Sequence, residues 1–236
     1  MAIEDLERIL GAPQMPLQPY PAKVITLANG KEMVVREAKK EEVGVLLGTV
    51  YPLVGVAKDF YDVVAARMYE ELLAWYRNRI ANMFAIVGVI DGTIAGIVTS
   101  RQVHEKLGMS LHTLAIDRGL RVGAHLFAAK MENHIDVLGA GEVWIVAESP
   151  IGYKRWMLEY ELEDRSSLYP EVRHELSGVP THSLTRALWE KHRANKCTGL
   201  RPAPAHLLAT AAKLKMPNRY PQIPGFKREQ WQRASA

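Results

Sequence analysis

Hydrophobic and polar positions alternate with two different periods along this chain, and the change from one to the other is the first clue to its fold. Between Phe60 and Ile80, Val64, Met68, Leu72 and Trp75 recur at steps of four, four and three, which predicts an amphipathic helix. The period then shortens. Phe84–Ile90 is an apolar run, Asp91–Gly92 a two-residue turn, and Thr93–Ser100 a second run, which together predict an antiparallel hairpin. Leu111–Asp117 reads as a further strand. The segment Arg118–Gly123 leads into a helix running to Leu138, with Phe127, Met131, His134, Ile135 and Leu138 on one face, and Gly139–Gly141 ends it. Glu142–Glu148 has the character of a buried strand, and Tyr153–Glu161 that of a short helix.

The flanks are less regular. Met1–Ala28 holds a short helical start and then a lead punctuated by Pro13, Pro16, Pro19 and Pro21, a spacing that favours an extended strap. Lys31–Arg36 predicts a short strand and Ala38–Leu47 a helix; Gly48–Ala57 is apolar and broken by glycine and proline. Arg165–Val179 is polar and compatible with a closing strand pair. Thr181 or Ser183 is placed to cap a helix through Ala194, and Ala205–Lys215 is helical in pattern. Pro217–Ala236 is punctuated by proline. The order of elements implies an α/β fold with a mixed, mostly antiparallel central sheet and helices on both faces, not the regular alternation of a doubly wound sheet. The expected organisation is a strap over residues 1–30, a catalytic-type domain over 31–180 and a basic helical extension over 181–236.

Composition narrows the classes. With 48% hydrophobic and 24% charged residues in 236, the chain is of ordinary globular make-up. Cys197 is the single cysteine, so an intrachain disulfide is impossible, which suits a reducing compartment. The start is acidic and unlike a signal peptide. The longest charge-free apolar stretch, Val43–Ala57, is too short to span a bilayer and contains Pro52. A cytoplasmic location without membrane contact is expected. The net charge of +4 is unevenly spread: from Lys191 onward the chain carries +9, and the first 190 residues carry −5. Such a tail can meet nucleic acid or another acidic partner, or dock on the chain's own acidic body.

The eight histidines show no paired metal spacing, and no metal is expected; a nucleophile elbow and a Walker loop are also missing. One stretch carries chemistry. A strand ending at Asp117 runs through Arg118-Gly119-Leu120-Arg121-Val122-Gly123-Ala124 into a helix. Unpaired N–H groups at a helix N-terminus attract phosphate, glycine allows close approach, and two arginines add charge.

With that loop in its setting, Met33 to about Glu163 resembles the GCN5-related N-acetyltransferase (GNAT) superfamily. That superfamily has a first strand, two helices, a three-strand meander, a pyrophosphate loop, a long helix, a strand and a short helix. Its loop reads Arg/Gln-x-x-Gly-x-Gly/Ala; Arg118 and Gly123 fit the ends, and Arg121 stands where the first glycine is expected. The resemblance implies an acyl-coenzyme A-dependent N-acyltransferase using acetyl-CoA or another acyl-CoA. Backbone groups of Leu114, Ala115 and Ile116 would pair with the pantetheine arm. The loop, Arg118, Gly119, Leu120, Arg121, Val122, Gly123 and Ala124, would hold the pyrophosphate. Glu148 would serve as base and Tyr153 as acid, with Tyr160, Asp117 and His112 as further candidates. The acceptor would be a small-molecule or macromolecular amine, with a homodimer left open. Two other readings keep the fold: a divergent enzyme with other chemistry, such as nucleic-acid base modification, carrier- or tRNA-dependent transfer or decarboxylation, and a non-catalytic binding module.

Overall fold

The computed structural model describes residues 3–145, 149–165, 182–196 and 200–230. In chain order the elements are α1 (Ile3–Leu10), β1 (Lys23–Thr26), β2 (Glu32–Glu37), α2 (Val43–Val50), α3 (Tyr61–Tyr76), β3 (Met83–Ile90), β4 (Thr93–His104), β5 (Leu107–Ala115), α4 (Val122–Glu132), β6 (Glu142–Ile145), α5 (Pro150–Gly152), β7 (Glu163–Asp164), β8 (His182–Thr185), α6 (Arg186–Lys196), β9 (Arg201–Pro202) and α7 (Ala205–Ala211). The strands form one sheet in the order β7-β8-β6-β5-β4-β3-β2-β1-β9. Among the described pairs only β5 and β6 run parallel. Helices cover both faces, so the fold is the mixed, mostly antiparallel α/β sheet that the order of elements implies.

The β3–β4 hairpin turns on Asp91 and Gly92, both with positive φ (52° and 78°), the conformation a two-residue turn requires. On one face Leu46, Val50, Met68, Leu72 and Trp75 from α2 and α3 pack on Val87, Ile97 and Leu114. On the other face α4 lies close to the sheet: a Cβ on Gly96 would meet Leu126 Cδ1 at 2.8 Å and the Leu114 carbonyl at 2.9 Å. Phe127 and Met131 of α4, and Ile135 in the π-helical turn after it, turn toward β6, β8 and the fully buried Trp189.

Several expectations shift. The proline-rich lead ends in β1, which pairs with β2, so this part of the strap is a sheet strand. β5 begins four residues before the predicted Leu111. The α3 helix is shorter than Phe60–Ile80, and α7 stops at Ala211. Ser183 caps no helix: it lies in β8 and donates to Glu142 Oε1 at 2.6 Å, while α6 begins at Arg186. Residues 166–181, which hold most of the expected closing pair, lie outside the described residues.

The C-terminal segment is woven into the body. β9 pairs with β1, Ala211 packs in the α2–α3 core, and Tyr220 donates to the Thr49 carbonyl at 2.9 Å. Buried Arg36 donates from Nε to the Ala211 carbonyl (3.0 Å) and from Nη1 and Nη2 to Glu42 (2.9 and 2.5 Å), tying α7 to β2. Lys191, Arg193, Lys196 and Arg201 pair with Glu161, Asp136, Glu159 and Glu32. No helix among the described residues is long and apolar enough to cross a membrane.

Candidate functional site

Among the described residues β5 pairs with β6 as far as Ser110 and Ile145, and with β4 as far as Ala115. A cavity of about 390 Å³ opens beside this end of β5. Thr113, Leu114 and Ala115 form its floor, Asp59–Tyr61 and Val64 one wall, and Ser149, Ile151, Gly152 and Arg155 the other. The loop after β5 closes its end through Asp117, Arg118, Gly119 and Arg121–Ala124.

Loop geometry follows from how α4 starts. Arg121 is the N-cap residue, in a left-handed conformation (φ 58°, ψ 23°), and no side-chain hydrogen bond caps the helix. The leading N–H groups have no partner within the helix, and Val122, Gly123 and Ala124, which carry them, line the cavity. A Cβ on Gly123 would sit 3.4 Å from Ala115 Cβ and 3.8 Å from Thr113 Cγ2, inside the cradle between helix and strand. The positive field is felt nearby: burial and Arg121 together lower the pKa of His125. Burial raises that of Asp117, with Lys31 opposing.

Of the expected cofactor residues, Leu114, Ala115, Arg118, Gly119, Arg121, Val122, Gly123 and Ala124 line this cavity. Ile116 and Leu120 do not: Ile116 is buried in the α2–α3 core, and Leu120 packs against the opposite cluster. The backbone N–H of Ile116 donates to the Ala95 carbonyl at 2.8 Å, which ties it to β4 and away from the slot. Glu148 lies outside the described residues, as does Cys197. The backbone of Tyr153 opens a π-helical turn after α5, between the lining residues Gly152 and Arg155; its side chain is outside the described part. Tyr160 is a core residue, packed edge-on to Phe127 at 5.3 Å, and does not line this cavity. His112 is buried on β5, its Nδ1 2.6 Å from Glu71 Oε1.

Sequence patterns did not point to Asp59 or Gln222. Ala115 turns its carbonyl away from β4, and two side chains donate to it: the Tyr61 hydroxyl at 2.7 Å and Gln222 Nε2 at 3.3 Å. Gln222 comes from the C-terminal segment, and its Oε1 is a buried acceptor without a hydrogen-bond partner among the described residues. Arg118 donates from Nε to Tyr61 Oη (3.3 Å) and from Nη1 to Asp59 (2.7 Å), with its guanidinium 4.8 Å from the Tyr61 ring centre. Burial alone would lower the Arg118 pKa; its bonds to Asp59 and Tyr61 outweigh burial and raise it.

A polar cluster lies under the slot. β5 bulges where Leu111 and His112 oppose Thr99, and fully buried Lys130 reaches into the gap, 3.3–3.4 Å from the carbonyls of Thr99 and His112 and from Thr113 Oγ1. Glu71 accepts from Thr99 Oγ1 at 2.5 Å. Further along β4, Ser100, His134 and Gln102 are linked in the order of a catalytic triad. All three are buried, and burial with the nearby Lys130 pushes His134 down to about 3, so the trio has no substrate access and works as core structure.

No family model matches the chain, and no curated protein matches it in sequence. Solved structures do match in shape. An uncharacterized protein from Bacillus halodurans has a TM-score of 0.51 at 11% identity, covering 76% of this chain and 98% of its own. RimJ from Mycobacterium smegmatis, in complex with CoA-disulfide, has a TM-score of 0.48 at 11% identity, covering 78% and 98%. The GNAT domain of S. lividans PAT has a TM-score of 0.46 at 14% identity, covering 70% and 96%. In its strand and helix order, its meander, and the loop that enters a long helix, the chain shares the fold of the Bacillus halodurans protein, carried by a divergent sequence.

Proposed function

We propose that this protein transfers an acyl group from a coenzyme A thioester to an amine. The observation that supports this most is the uncapped start of α4, which shares one cavity with Gly123, two arginines and the end of β5. The N–H groups of Val122–Ala124 would hold a pyrophosphate, with Arg118 and Arg121 neutralising its charge. The edge of β5 from Thr113 to Ala115 would orient the pantetheine arm. When bound, the thioester supplies an activated acyl carbon. Glu148 is our candidate for taking the proton from the acceptor amine, and Tyr153 for returning one to the departing thiolate.

Calorimetry with coenzyme A tests this reading. Gly123→Val fills the cradle, whereas Arg118→Ala removes one of two guanidinium groups and its bonds to Tyr61 and Asp59, so the first should weaken binding more than the second while both proteins stay folded. A wild-type protein that binds no coenzyme A refutes it. The occupied Ala115 carbonyl favours one rival, a GNAT-fold binding module without catalysis. That rival predicts no coenzyme A binding and no thioester turnover.

A further inference from the structure

We infer that Tyr61 is a specificity-determining residue that makes the slot respond to phosphate, an inference that rests on the coenzyme A reading above. An extended pantetheine arm docks on a strand edge by exchanging amide hydrogen bonds with outward-facing backbone groups. On β5 the outward carbonyl at the loop end is Ala115, and its two acceptor positions are filled by Tyr61 and Gln222. The shorter bond, 2.7 Å, is from Tyr61.

Tyr61 is itself held by the phosphate loop. Arg118 donates to its hydroxyl oxygen, which polarises the O–H and strengthens its bond to Ala115. Asp59 holds Arg118 on the far side. Asp59 and Phe60 both adopt left-handed backbone (φ 56° and 60°), an arrangement costly for residues with side chains, and this turn is what delivers Tyr61 to the strand. The chain of contacts thus runs Asp59, Arg118, Tyr61, Ala115, with all four residues lining the one cavity.

A phosphate competes for Arg118, because guanidinium prefers a bidentate oxyanion to a single phenol oxygen. Drawing Arg118 away removes the polarising donor and loosens Tyr61 from Ala115. A thioester that carries phosphate therefore clears its own docking edge. A pantetheine thioester without phosphate must break the Tyr61 bond unaided. The slot selects the phosphorylated carrier through Tyr61 as well as through direct charge.

The test uses S-acetylpantetheine, which lacks phosphate, acetyl-CoA, and inorganic pyrophosphate. In the wild type, saturating pyrophosphate should tighten S-acetylpantetheine binding severalfold, as reciprocal linkage demands. In Tyr61→Phe, S-acetylpantetheine should bind about tenfold tighter, the scale of one hydrogen bond, with acetyl-CoA changed much less and the pyrophosphate effect gone. If pyrophosphate leaves wild-type binding of S-acetylpantetheine unchanged or weaker, or if Tyr61→Phe keeps the ratio of the two affinities, Tyr61 has no such role. The wild-type pyrophosphate arm decides the matter even where Tyr61→Phe fails to fold. If wild-type protein binds no acetyl-CoA at all, the coenzyme A reading falls first and this inference with it.

Discussion

Lys130 offers a direct test of how the sheet under the slot is built. It has no exposed surface, and burial pushes its pKa from 10.5 down to about 7, with Glu71 opposing. In the unfolded chain a lysine titrates near 10.4. Below about pH 7 the group is protonated in both states, and the full cost of burying the ammonium is present, on the order of 4–5 kcal/mol. Above 10.4 it is neutral in both, and the cost is gone. In between, the unfolded chain holds a proton that the folded one lacks, so stability should rise with pH by about 1.4 kcal/mol per unit. Lys130→Met removes the proton. It also strips the carbonyls of Thr99 and His112 of a long-range donor, at about 1–3 kcal/mol each, so near pH 7 gain and loss nearly cancel. The slope is therefore the informative quantity. Denaturant unfolding of both proteins at steps from pH 7 to about 9.5 should show their difference in stability growing by about 1.4 kcal/mol per unit in favour of the wild type. Tyr220 does not interfere, because burial raises its pKa and unfolded tyrosine titrates only near 10. Parallel profiles would mean that Lys130 is not the buried, neutralised group described here.

Two further predictions concern the C-terminal segment. Arg36→Met leaves Glu42 half-buried without its cation and releases Ala211, so it should cost about 3–5 kcal/mol, read as a fall in the denaturation midpoint at unchanged slope. A chain ending at Lys196 loses β9, α7 and Tyr220, uncovering the α2–α3 core; it should melt without a single cooperative transition, and a sharp melt near the wild-type temperature would show the segment to be dispensable.

Much of the fold was legible because burial and period agree. β3 is buried at every position, and α3 buries Ala65, Met68, Leu72 and Trp75 along one stripe. Legibility failed where the buried face carries no apolar signal. The first half of β5 buries Gly108 and Ser110, and glycine is present because His134 occupies the place of its Cβ. β1 is four residues long within a proline-spaced lead. The C-terminal charge was plain in the sequence, but the apolar contacts of Leu207, Leu214, Ile223 and Phe226 are too irregularly spaced to announce a packed segment.

The slot shows the same limit at the level of single residues. Its loop stood out in the sequence because helix start, glycine and arginine are neighbours there. The Asp59–Arg118–Tyr61–Ala115 contacts did not, since they join segments more than fifty residues apart, and Gln222 reaches Ala115 across 107 residues. Arg121 lies between these cases. By residue type it departs from the glycine that the loop pattern expects, yet its backbone adopts the left-handed conformation that glycine serves elsewhere. An arginine there costs about 1–2 kcal/mol, so the surrounding structure must impose the turn: β5 is fixed against β4, and α4 is fixed by its buried Val122 and Leu126. The loop geometry is thus kept with an arginine in place of the glycine of the loop pattern, and Arg121 joins Arg118 in lining the cavity. Divergence of the motif and persistence of the fold are compatible because the flanking elements, and not the glycine, hold the chain in that conformation.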